Sequence, residues 1–291
     1  MGRVLVIGSI NVDMVTETDR IPEQGETLIG GRFRTVPGGK GANQAVAAAK
    51  AGADVTMIGA VGDDSIGSDM LANLRKAGID TSCVKIVQEE ATGTAVILLT
   101  EGDNRIIVSP GANASVTPDT IASLESVMVN SDVVLLQLEV PLEAVTAAVQ
   151  LAHRHRIPIV LNPAPAAALP AEVWKKATWI TPNEREQQQL FLHGEFREKL
   201  ITTFGANGVA YWAGNEVKQV AGHRVQVTDT TGAGDTFNGV FAALLAEGAT
   251  CEQAVIMANA ASAISVQTFG AQGGMPDRKT IEAFLAARRP E

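Results

Sequence analysis

The 291-residue sequence has two cysteines, no excess of basic charge and no run approaching the ~18 consecutive apolar residues of a membrane span. Cys83 and Cys251 cannot build a disulfide framework, and their spacing matches no metal motif, so a reducing, cytoplasmic compartment is expected. The first apolar stretch, Val4-Leu5-Val6-Ile7, is too short for a signal peptide, and neither export nor a membrane partner is expected. With 23 Lys+Arg against 32 Asp+Glu the net charge is −9, a surface that repels phosphate backbones and argues against nucleic acid as a partner. A small anion is not excluded, because one local cluster of donors can hold it against the global field. The first strand is followed by Gly8-Ser9-Ile10-Asn11-Val12-Asp13, with one glycine where a dinucleotide fingerprint needs three, which disfavours a Rossmann oxidoreductase. There is no Gly-x-Ser-x-Gly nucleophile elbow, no fixed-period repeat and no low-complexity tract. His153, His155, His193 and His223 read as surface or helix-end charges, not metal ligands.

What is present is ordinary globular composition, 46% hydrophobic and 19% charged. Short Val/Ile-rich runs recur at Val4–Ile7, Val55–Ile58, Val133–Leu136, Ile157–Leu161 and Trp179–Thr181, continuous as buried parallel strands are. Between them lie segments of helical length: Asn43–Ala51, Ile66–Ala77, Thr117–Met128, Leu142–Arg154 and Asp277–Ala287. This alternation predicts an α/β fold, a Rossmann-like parallel sheet with helices on both faces. Two stretches break the pattern. Val12–Phe33 alternates around a Pro22/Gly25 turn, and Ala95–Val108 reads as a hairpin with Glu101-Gly102-Asp103-Asn104 at its tip. Both are expected to form a small inserted sheet, at about 12–36 and 94–109 of a single domain spanning 1–291. Such a sheet is a lid if it covers the strand ends, and otherwise an edge decoration.

The strongest chemical signal is Asp229-Thr230-Thr231-Gly232-Ala233-Gly234-Asp235-Thr236-Phe237-Asn238-Gly239, followed at once by an apolar helix. Glycines leading into a helix let backbone N–H groups converge beside the positive end of its dipole, which makes an anion site. Asp235 falls in that first turn, where it is either a functional carboxylate or a plain N-cap. A second glycine run, Gly38-Gly39-Lys40-Gly41-Ala42-Asn43, opens an Ala-rich helix but is not a Walker A loop, lacking Ser/Thr after the lysine. Lys40 and Asn43 on one side and Asn11 and Asp13 on the other suit a polyhydroxylated ligand, unless these are two unrelated turns. In Thr181-Pro182-Asn183-Glu184-Arg185-Glu186, Asn183 and Glu186 share one helix face. Such oxygen donors suit Mg²⁺ or its water shell, although Asn before a helix is most often a cap.

Together these motifs resemble the ribokinase/PfkB family of carbohydrate kinases, which includes fructokinases and adenosine kinases. The resemblance runs from Arg3 to about Leu285, and Gly38–Ala45 combined with Asp229–Gly239 carries it. Asn162-Pro163-Ala164-Pro165 and Thr181–Glu184 stand where the family has them, and Ser9–Asp13 with Gln137-Leu138-Glu139 resemble its ribose-specific branch. The resemblance implies a ribokinase-like fold and transfer of the ATP γ-phosphoryl group to O5 of D-ribose. It makes Asp235 the base and Gly232, Ala233 and Gly234 the anion hole. Asn11, Asp13, Gly39, Lys40, Asn43, Glu139 and Asp235 fall on sugar-binding positions. Asn183, Thr203, Gly205, Gly208, Gly234 and Asn259 fall on nucleotide positions, with Glu186 near hydrated Mg²⁺. It also implies activation by K⁺ at Asp229, Thr231, Ser265, Thr268, Gly270 and Gly274, and a homodimer joined through the lid. Alternatives are a kinase of 2-deoxyribose, a fructose-type sugar or a nucleoside, and a catalytically silent sugar sensor.

One departure from the family stands out. Only Phe191–Leu200 separates the helix after Asn183 from the strand carrying Thr203, where the family has a further full helix. Either the crossover is shortened or residues are absent, and absent residues are the expectation, since a parallel crossover needs about a dozen.

Overall fold

The structure, a computed structural model, describes residues 1–100 and 103–288. Six parallel strands form its centre in the order Trp179–Ile180, Ile159–Leu161, Val133–Leu136, Arg3–Ile7, Asp54–Gly62 and Val84–Val87. Alternate residues of Arg3–Ile7 feed two separate cores. Val4 and Val6 pack with the helices Lys40–Lys50, Ala233–Ala246 and Cys251–Ser265, while Leu5 and Ile7 pack with Leu142–Arg154 on the opposite face. A strand buried on both sides has no polar face to alternate, which is why these runs are continuously apolar. The expected helix over Thr117–Met128 is two short ones, Pro118–Ser123 and Glu125–Val129, because Leu124 leaves helical geometry at φ −107° and ψ 20°.

The strand order reverses at Arg3–Ile7, which lies between the strand that follows it in the sheet, Asp54–Gly62, and Val133–Leu136. Beyond the carboxyl ends at such a reversal the connections diverge to opposite faces and leave a crevice. Ser9, Gln137 to Glu139, Asn162 and Thr181 to Asn183 each directly follow one of these strands, so the topology collects the polar motifs at one place.

The inserted sheet has four strands in the order Phe33–Gly38, Asn11–Glu17, Gly93–Thr100 and Asp103–Ser109. Asn11–Glu17 pairs antiparallel with Phe33–Gly38, and the register Ala95↔Val108 and Ile97↔Ile106 is that of the expected hairpin. The expected turn residues Glu101 and Gly102 lie outside the described residues.

Near Thr203 the crossover is shortened, contrary to the expectation of absent residues. From Ile180 the chain makes the helix Glu184–Leu190 and the 3₁₀ turn Arg197–Lys199, and Leu200 returns parallel to Ile180 through a single bridge. Strand Ile201–Thr203 then begins an antiparallel unit with Val209–Ala213 and Glu216–Val220. The helix counts toward the crossover length, so the span suffices for a parallel return.

The helices Lys40–Lys50 and Ala233–Ala246 touch almost backbone to backbone at Gly239, where an added Cβ would sit 2.6 Å from the Ala47 Cβ. Gly239→Ala is therefore expected to destabilise the fold by about 1–3 kcal/mol through overpacking, seen as a lower urea midpoint with an unchanged m-value.

Candidate active site

Helix Ala233–Ala246 begins behind Gly232, which adopts φ 78° and lies so close to Ala271 that an added Cβ would be 2.7 Å from its Cα. The Thr236 N–H turns back to the Gly232 carbonyl at 2.8 Å, and the Ala233 N–H to Thr230 at 3.2 Å. Of the three positions read as an anion hole, Gly232 and Gly234 line a polar cavity of about 220 Å³, while the Ala233 N–H is spent in the turn. Asp235, Lys40, Asn183, Glu186 and Thr203 line the same cavity. Burial works against the charge on Lys40, but Asp235, Glu139, Glu186 and Asp13 together hold its ammonium above the ordinary lysine value. A cation beside a helix N-terminus is an arrangement that attracts phosphate.

The second glycine run meets strand Asn11–Glu17 of the inserted sheet. Gly39 has φ 86°, and a Cβ there would lie 2.7 Å from the Asn11 nitrogen, so only glycine lets the two chains close up. This contact puts Asn11 and Asp13 opposite Lys40 and Asn43. Asn11 Oδ1 accepts from Asn113 Nδ2 at 2.7 Å, and Asn113 Oδ1 accepts the Ile10 N–H at 2.9 Å. Glu139 Oε2 accepts from Ser9 Oγ at 2.6 Å and from the Lys40 N–H at 3.0 Å. Asn43 Nδ2 donates to Asp235 Oδ2 at 3.0 Å, and Asn43 Oδ1 accepts from Gln272 Nε2 at 2.9 Å. Burial first, then the charges of Glu139 and Asp235, push Asp13 up to about 7. The structure thus gathers all seven residues read as sugar-binding.

The residues read as nucleotide-binding fall into three groups. Asn183 is an N-cap: its Oδ1 accepts the Glu186 N–H at 2.9 Å, and Glu186 Oε2 accepts the Asn183 N–H at 2.8 Å. It caps its helix and also lines the polar cavity. Burial raises the Glu186 carboxyl, opposed by the Asn183 N–H and Lys40. Gly205 and Asn259 line a larger cavity of about 550 Å³, with His223, Val225, Val227, Ala263 and Val266. Thr230 borders both cavities. Asn259 Nδ2 donates to the Ala221 carbonyl at 2.8 Å and so anchors the segment forming that wall. Gly208 lines neither cavity; at φ 94° it packs against Val220 and Gly222 and shapes the turn into its strand. Sequence reading missed the apolar wall, since Val225, Val227, Ala263 and Val266 lie on separate elements and carry no motif.

The six residues read as a cation site are drawn into linked loops. Asp229 Oδ1 accepts the Thr231 N–H at 2.9 Å and Oδ2 the Gly270 N–H at 2.8 Å. Burial opposes its charge, yet these donors, Gly270 foremost, hold the Asp229 carboxyl below the usual carboxylate range. The Ser265 carbonyl accepts the Thr268 N–H at 3.4 Å and packs against Gly274. Carboxylate and main-chain oxygens without sulfur or imidazole suit a hard cation.

A crevice at a sheet reversal, with the carboxylate of Asp235 in the first turn of a glycine-led helix and in the wall of a polar cavity, is an arrangement suited to phosphoryl transfer. The family model for pfkB carbohydrate kinases matches residues 1–278. A Bacillus subtilis ribokinase is 46% identical over 98% of this chain and 100% of its own length. Among solved structures, the ribokinase of Thermotoga maritima superposes with a TM-score of 0.89 at 35% identity, over 98% of this chain and 100% of its own. The Arabidopsis thaliana ribokinase, solved with ribose and ATP, gives 0.88 at 31% identity, over 98% of each chain. The chain belongs to the pfkB family of carbohydrate kinases and has the ribokinase-like α/β fold.

Asp13 provides a check on this geometry. Its carboxyl is raised in the folded chain, so the neutral form is the favoured native one. The stability it lends is complete below about pH 4, the unfolded value, and is lost as pH rises through about 7. Asp13→Asn is expected to raise the melting temperature of the ligand-free protein at pH 8 and to change it little at pH 4, as calorimetry at the two pH values reads directly.

Proposed function

We propose that this chain catalyses ATP-dependent phosphorylation of D-ribose at O5, giving D-ribose 5-phosphate and ADP, with Asp235 as the general base. The observation that carries this reading is the position of Asp235, in the wall of the polar cavity and hydrogen-bonded to Asn43 of the opposing polyol-binding loop. The sugar lies between the lid strand and helix Lys40–Lys50, its vicinal hydroxyls on Asp13 and Asn11 and others on Glu139, Asn43 and the Gly39 backbone. The adenine occupies the apolar cavity near Gly205 and Asn259, and the triphosphate passes Thr230 toward Gly232 and Gly234.

In this pose the 5-hydroxyl proton goes to Asp235, the freed oxygen pair attacks the γ-phosphorus, and the bond to the β-phosphate oxygen breaks onto ADP. Charge grows on the transferring oxygens, where the helix N-terminus and Lys40 are already aimed, so little reorganisation remains for the reaction itself. Mg²⁺ bound with ATP would supply charge neutralisation at the phosphates. Glu186, in the wall of the polar cavity, is placed for a water-mediated contact to that ion. The Asp229–Gly274 loops would hold K⁺, which would set the geometry of the anion hole from outside it. Asp13 distinguishes ribose from 2-deoxyribose by gripping both vicinal hydroxyls.

The molecule works as one domain with its lid inserted, as a homodimer in the cytoplasm. The lid's edge strand Asp103–Ser109 supports the dimer: Ile106, Ile107 and Val108 are exposed there, as is Val96 on its neighbour. An exposed apolar sheet edge is a surface that proteins normally cover. Among the described residues no helix is long and apolar enough to cross a membrane.

Asp235→Asn tests the assignment. Turnover is expected to fall by about 10²–10⁴, with ribose and ATP affinities within a few-fold of the parent by calorimetry. Near-normal turnover would make Asp235 a cap and place the base elsewhere.

A further inference from the structure

Both carboxylate oxygens of Asp235 are occupied, and by neighbouring residues of one helix. Oδ2 accepts from Asn43 Nδ2 and Oδ1 from Gln44 Nε2, each at 3.0 Å. Asn43 faces the sugar side of the site. Gln44 does not: it is fully buried and lines neither cavity, an uncharged polar side chain in an Ala-rich helix.

A primary amide has a donor end and an acceptor end, and its neighbours decide which end points where. Here the decision starts from a main-chain carbonyl. Asn162 Nδ2 donates to the Thr181 carbonyl at 2.9 Å, a group that can only accept. Asn162 Oδ1 therefore points the other way and takes a hydrogen from Gln44 Nε2 at 3.0 Å. The second hydrogen of the same nitrogen goes to Asp235, while Gln44 Oε1 accepts from Gln137 Nε2 at 2.6 Å. Gln137 is itself fully buried, and its own amide oxygen has no hydrogen-bond partner in the protein. Gln44 is thus held with its nitrogen toward Asp235 from both ends, in a dry interior where such bonds are stiff.

We propose that Gln44 is a positioning residue for phosphoryl transfer: it fixes Oδ1 of Asp235 so that Oδ2 alone is the proton acceptor. Arrival of the sugar draws the Asn43 amide onto a hydroxyl and uncovers Oδ2, while Gln44 stays in place. The 5-hydroxyl proton then moves to Oδ2 as the oxygen–phosphorus bond forms and the bond to ADP breaks. This rests on Asp235 being the base.

The test is a double-mutant cycle with Gln44→Met, which keeps the length and shape of the side chain and removes its donor. In the parent, kcat is expected to fall about 10-fold or more, the penalty of a misaligned reacting group, with the KM values for ATP and ribose nearly unchanged. In the Asp235→Asn background the same change is expected to cost nothing further, because the oxygen that Gln44 holds is no longer part of a base. Equal losses in both backgrounds, or a rise in KM with kcat retained, would overturn the proposal and leave Gln44 a packing residue. If Gln44→Met does not fold, Asn162→Ala leaves Gln44 present and removes the acceptor that orients it. The same non-additive loss of kcat is then expected at smaller size, and additivity refutes the proposal. The base assignment is read separately, from Asp235→Asn alone.

Discussion

The contact between helices Lys40–Lys50 and Ala233–Ala246 is the constraint on which the site depends. Gly239 lets the two backbones approach to a distance that no side chain would permit. Only at that spacing do Asn43 and Gln44 reach the carboxylate of Asp235, which belongs to the other helix. Each helix also begins in a glycine loop with a second task. Gly39 presses against the inserted sheet at Asn11, and Gly232 presses against Ala271 in the loop that follows Gly270. The packing of one helix pair therefore sets the distances among the base, the polyol-binding residues, the phosphate donors and the cation loops. Rigid elements hold positions more closely than loops do, and every group assigned to the reacting centre is tied to one of these two helix starts.

Charge is the second organising feature. Asp13, Glu139, Asp235 and Glu186 surround Lys40, and burial makes their mutual repulsion costly in the ligand-free protein. The raised carboxyl of Asp13 is one expression of this. In the proposed pose a sugar donating hydroxyls to these carboxylates would relieve that repulsion, so that stability given up by the empty site would return as binding. The overall charge of −9 is compatible with ATP as a ligand, because in the proposed pose the triphosphate meets a helix N-terminus and a lysine, not the general surface.

Much of this was legible in the sequence, for physical reasons. Val4–Ile7 and Val133–Leu136 read as strands because burial on both faces leaves them continuously apolar. The two glycine loops were legible because backbone approach and positive φ demand glycine whatever the surrounding packing. Less could be read where the determinant is not local. The apolar cavity around Val225 and Ala263 is assembled from separate elements. The Ala233 N–H looked available until the Thr230 turn claimed it. The crossover before Ile201 looked too short because the helix Glu184–Leu190, counted as preceding it, is part of it. Gln44 was visible as a polar residue among alanines, but its partner Asn162 lies far along the chain and only the fold brings them together.

The account stands or falls on one reaction, and the direct measurement is ADP release from Mg·ATP with and without D-ribose in K⁺, with the product's phosphate located by NMR. Ribose-dependent release with phosphate on O5, reduced when Na⁺ replaces K⁺, is the predicted result. Release that ignores the cation would remove the assignment of the Asp229–Gly274 loops and keep the kinase. No ribose-dependent ADP under any of these conditions would contradict the central claim.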